Sequence, residues 1–61
     1  MSLKPLPDCW NLSVEPTNSG MFKAQVLNTY NNHLVLLLEV YGDTEAQAKE
    51  RAMQQIQRKI P

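Results

Sequence analysis

The stretch HLVLLLEVYG, His33–Gly42, is the most apolar run of the chain, and its reading decides the fold. A β-strand turns successive side chains to opposite faces. Read so, Leu34, Leu36, Leu38 and Val40 point one way and Val35, Leu37, Glu39 and Tyr41 the other, which leaves both faces oily. The flanks suit a strand. Asn31 and Asn32, just before it, tolerate the positive φ angles of a two-residue type I′ hairpin, and Gly42 breaks the run.

Upstream, the pattern keeps a period of two. Trp10, Leu12 and Val14 alternate with Asn11, Ser13 and Glu15, a half-buried strand that Pro16 and the turn-forming residues 17–20 bring to an end. The next strand begins near Met21, with Phe22, Ala24 and Val26 on one face and Met21, Lys23, Gln25 and Leu27 on the other. Residues 1–8, MSLKPLPD, carry two prolines and read as an extended arm ahead of a single domain over residues 9–61.

Downstream, the period becomes helical. Thr44 is placed to cap a helix and Gln47, three residues on, to return the hydrogen bond as a capping box. Ala48, Ala52, Ile56 and Ile60 form the apolar row, flanked by Ala46 and Met53, and Pro61 is expected to stop the helix. Asp43 and Glu45 suit the positive end of the helix dipole, Arg58 and Lys59 the negative end. Lys49 falls inside the apolar arc, so its stem is expected to pack while its ammonium reaches water or Glu39. The expected fold is α+β: a three-stranded antiparallel meander with one C-terminal helix on one face, βββα.

Sixty-one residues make one small domain. Such a chain buries only about 60% of the surface it exposes when unfolded and is marginal alone. A single cysteine excludes an internal disulfide, and one His with one Cys cannot close a metal site, so oligomerisation is the remaining remedy. The lone Cys9 reads as a small buried or arm residue in a reducing, cytoplasmic setting. Six basic and six acidic residues give zero net charge and no global field for a nucleic acid or an anionic membrane. No apolar run approaches the roughly 20 residues of a membrane span. His33, beside the turn, has no second acid or nucleophile near it in sequence; no catalytic set, cofactor motif or metal-ligand set can be assembled.

One helix covers one face. The row Leu34, Leu36, Leu38 and Val40 is therefore expected beneath the helix, which leaves Met21, Leu27, Val35, Leu37, Glu39 and Tyr41 as the candidate interface; this second face, or the exposed edge of the third strand, is occupied most simply by a second copy in a twofold dimer or by another protein. Alternatively the N-terminal arm, with Leu3 and Leu6, folds over that face. Glu39 reads as a charge that blunts promiscuous pairing or as the partner of an interfacial Lys or Arg, ahead of an acid in a pocket. A second candidate surface is the polar stripe of Gln47, Arg51, Gln54 and Arg58, which would meet phosphates if the chain bound nucleic acid.

Two family resemblances attach to GDTEAQAKERA, residues Gly42–Ala52. Gly42, Asp43, Thr44, Glu45, Ala46 and Ala52 resemble the strand-to-helix junction of HicB-type antitoxins, whose partial ribonuclease-H-like domain implies the same βββα order. Here LVLLLEVY replaces the family's proline-containing approach, and no DNA-binding tail follows. Ala48, Lys49 and Ala52, opened by Thr44, also look like the last helix of double-stranded RNA-binding domains. That family's paired phosphate-gripping lysines correspond here to Glu45 and Ala46, and its first helix is absent, so RNA binding of that type is not implied. The functional expectation is a non-enzymatic interaction or accessory protein of phage or mobile-element type. The alternative is nucleic-acid binding through the helix stripe.

Overall fold

A computed structural model describes residues 3–60. Three strands, β1 (Trp10–Pro16), β2 (Phe22–Tyr30) and β3 (His33–Gly42), are followed by a helix, α1 (Glu45–Ile56). The sheet is antiparallel in the order β1-β2-β3, a meander with β1 and β3 as its two edges. This is the expected βββα arrangement.

The turns form for the reasons their residues suggest. Asn31 and Asn32 take φ of 50° and 66°, the pair of left-handed angles a type I′ turn needs. Between β1 and β2 the Thr17 N–H donates to the Met21 carbonyl at 2.8 Å, and Gly20 supplies the φ of 83° that closes the loop. At the helix start, the Gln47 N–H donates to Thr44 Oγ1 at 3.1 Å. The Gln47 side chain returns the bond to the N–H of Asp43, one residue ahead of the cap, at 2.7 Å. Gly42 is required by contact: a Cβ there would lie 2.5 Å from the Ala48 nitrogen, so the first turn of α1 seats directly on the end of β3.

The core is small. Ala24, Val26 and Val40 from the sheet meet Ala48, Ala52 and Ile56 from the helix, and Trp10, Leu12, Val14, Phe22, Leu37, Leu38 and Met53 pack around them. Half of the six central side chains are alanine, which lets the helix approach closely but buries little apolar area.

α1 is shorter than its sequence pattern suggests. It ends at Ile56, and Arg58 and Lys59 lie beyond it in a turn where the Lys59 N–H donates to the Ile56 carbonyl at 2.8 Å. Gln57 accepts a hydrogen bond from the Lys4 N–H at 2.7 Å and donates one to the Lys4 carbonyl at 3.0 Å, which fastens the N-terminal segment to the end of the helix. Leu6 packs against the core. Lys4 and Leu6 therefore place the segment on the helix side of the sheet, and among the described residues none covers the outer face, contrary to the arm alternative. Pro61 lies outside the described residues.

Candidate functional site

The decisive local feature is a β-bulge. Val26 pairs with Leu38, yet its neighbour Leu27 pairs with Leu36, so Leu37 is one residue too many for β2 to match. Side chains up to Leu37 therefore point to the face opposite the one that regular alternation counted back from Leu38 and Val40 would give them. Leu38 and Val40 join the core as expected. Leu34 and Leu36, expected beneath the helix, instead share the outer face with their cross-strand partners Thr29 and Leu27. Leu37 and Val35, expected on the outer face, lie on the helix side, where Leu37 packs against the core.

Helix length explains why the oily residues before the bulge stay exposed. Twelve helical residues span about 18 Å, and the ten residues of β3 about 33 Å. Folding back from Gly42, α1 covers the C-terminal half of β3 and stops short of the hairpin end. Leu34 is 69% exposed, Leu36 50% and Val35 45%, so this end is apolar and uncovered on both faces.

The outer face divides in two along β3. At the hairpin end Leu27, Leu34 and Leu36 cluster beside Thr29. Toward Gly42 the face is polar. Glu39 accepts from Gln25 Nε2 at 3.0 Å and from the Tyr41 hydroxyl at 3.2 Å. Lys23 and Glu15 form an ion pair at 3.1 Å, and Glu15 holds the Lys23 ammonium above its ordinary pKa. Glu39 thus faces Gln25 and Tyr41, across the sheet from exposed Lys49, which it does not meet. Met21 sits just before β2, beyond the polar end and about six residues of strand away from Leu27, so the six expected interface residues do not form one patch.

The edge of β3 is treated differently along its length. The Thr29 N–H donates to the Cys9 carbonyl at 2.9 Å, so Thr29 turns its backbone toward β1. Its partner Leu34 consequently turns its own N–H and C=O away from β2, to the open edge, and by alternation Leu36 does the same. Past the bulge, Tyr41 also turns its carbonyl outward, and there the Arg51 guanidinium donates to it at 2.9 Å. One end of the edge is closed by the helix; the other presents unpaired backbone between leucines.

The helix stripe is partly spent within the chain. Gln47 serves the cap, Arg51 holds Tyr41, and Gln54 donates to Glu50 at 3.4 Å. Arg58 and Lys59 line a shallow cleft with Leu38, Gln54 and Gln55, next to the free edge of β3. Cys9 is exposed. Among the described residues no group of three or more His, Cys, Asp or Glu side chains is placed to hold a metal ion, and no helix is long and apolar enough to cross a membrane.

Leu34 and Leu36 are the residues that alternation alone misses. A signal for them is present: a two-residue turn at 31–32 sets Val26 opposite residue 37 and Ala24 opposite Glu39, and only an extra residue in β3 keeps that carboxylate out of the core. Comparison of the chain with protein-family models, curated proteins and solved structures finds no match among any of the three.

Proposed function

We propose that the chain is a small, non-enzymatic interaction module that works through the uncovered end of the β2–β3 hairpin. One observation carries this reading: Leu34, Val35 and Leu36 are exposed together on an edge strand, where soluble domains ordinarily place charge, proline or a cover. An accessory role of phage or mobile-element type, in a reducing cytoplasm where an exposed Cys9 stays a thiol, is part of the same proposal. Nucleic-acid binding through α1 has less support, since Gln47 and Arg51 already use their polar groups within the fold.

The test is a double substitution, Leu34→Ser with Leu36→Ser, compared with the wild type by sedimentation velocity, alone and in extract of the source cells. The wild type associates with itself or with another protein, and the variant, still folded by circular dichroism, does not. Equal association by both, or none by the wild type, overturns the proposal. A salt-dependent shift of labelled nucleic acid that Arg58→Glu abolishes would favour the helix stripe instead.

A further inference from the structure

Resting on that reading, we propose that the occupant of the open edge is a second copy of the chain, its β3 antiparallel to the first about a twofold axis through Val35. The backbone selects this register. Leu34 and Leu36 are the residues before the bulge whose N–H and C=O face the edge, and in an antiparallel pair such residues exchange both hydrogen bonds when directly opposed. Placing Leu34 of each copy opposite Leu36 of the other makes four backbone bonds and puts Val35 against its own symmetry mate.

The side chains agree with the backbone. On the outer face each Leu34 meets a Leu36, which sets the two Leu27–Leu36 pairs side by side as one apolar patch across the four central strands, β2 and β3 of each copy. On the helix side the two Val35 side chains meet in the space α1 does not reach. Residues 33–38 carry no acidic or basic charge besides His33, so nothing repels along the axis. The register also brings the Asn31–Asn32 turn of the second copy alongside Leu38, next to the cleft lined by Gln54, Gln55, Arg58 and Lys59, whose donors suit the turn's carbonyls. Beyond that point Arg51 on the Tyr41 carbonyl and the charge of Glu39 end the pairing. The other edge, β1, ends in Pro16 and bears Asn11, Ser13 and Glu15 on its outer face, which does not compete.

Size supplies the need. A core of six small or medium side chains leaves the protomer marginal, and self-pairing is a common remedy. So short a contact falls below the roughly 1,200 Å² of a standard interface, and dimerisation is expected on the order of 10 µM.

Cross-linking reads the register directly. In a Cys9→Ser background, Val35→Cys places two thiols on a non-hydrogen-bonded pair, with Cα atoms about 4.5 Å apart and within disulfide reach. It is expected to form a disulfide dimer under glutathione disulfide at least about tenfold faster than Leu34→Cys, whose symmetry mates lie two residues out of register. Val35→Lys, otherwise in the native chain, sets like charges face to face and weakens dimerisation by about 100-fold with the fold retained. Equal linking rates for the two cysteine variants, or a wild-type monomer at about 200 µM, overturn the second-copy inference. If the wild type is monomeric but Leu34→Ser with Leu36→Ser still abolishes capture of a different protein, only this inference falls and the interaction module stands.

Discussion

Arg51 donates to the main-chain carbonyl of Tyr41 at 2.9 Å, so a side chain from the middle of the helix closes part of the sheet's free edge. The contact is a staple between α1 and β3 and also a guard on a carbonyl that another strand could otherwise use. Arg51→Ala removes both at once. Since the site is exposed, the stability loss is modest, about 1 kcal/mol in urea unfolding, whereas the free edge lengthens toward Gly42. Self-association measured by sedimentation velocity should increase although the protein is less stable.

Gly42→Ala tests the seating of the helix. The added methyl would meet the backbone of Ala48 at 2.5 Å, and backbone cannot turn aside as a flexible side chain can. α1 must lift from Val40 and Ala24, at a cost of about 2–3 kcal/mol. For a domain of this size that is a large share of the total, and the thermal midpoint should fall by more than about 8 °C.

Deleting Leu37 removes the unmatched residue and leaves every other pair of β2 and β3 in place. Leu36 would still face Leu27 and Leu38 would still face Val26. The variant is expected to fold, about 1–3 kcal/mol less stable for the loss of a half-buried leucine. Amide-to-amide contacts across the hairpin, measured by nuclear magnetic resonance, should retain both pairs. A shift of register on the Gly42 side would contradict the bulge assignment.

The ion pair of Lys23 and Glu15 gives a pH dependence of stated sign. Glu15 raises the Lys23 pKa on folding, so the stabilisation is complete below the unfolded ammonium pKa, near 10.5, while Glu15 stays ionised. It fades as pH rises through the folded value. The pair is solvent-accessible, so the effect is small and screened by salt. In the Glu15→Gln variant the Lys23 side-chain amine should titrate at lower pH than in the wild type, followed by its carbon and nitrogen chemical shifts.

The order of elements, the Asn31–Asn32 turn and the Thr44 cap were legible because each depends on residues adjacent in sequence. The faces of β1 and β2 were legible too: Trp10, Leu12 and Val14, then Phe22, Ala24 and Val26, pack around or within the core as alternation requires. Alternation failed at β3, where LVLLL offers hydrophobic side chains at every position and so does not show which one the opposing strand skips. Glu39 held the missing information, since its charge fixes the outward face only when counted against the turn and Ala24. The early end of α1 was hidden for another reason. There the backbone tightens to bonds spanning three residues, Arg58 N–H to Gln55 and Lys59 N–H to Ile56, beside the contact of Gln57 with distant Lys4, and apolar spacing records neither.

The unmatched Leu37 divides a single strand between two masters. Residues toward Gly42 answer to the protomer's own interior, and changes there are felt as lost foldedness. Those toward Asn32 stand in solvent, and changes there leave that interior untouched. A lineage carrying this hairpin could therefore drift at Leu34, Val35 and Leu36 without renegotiating the packing that keeps the chain intact.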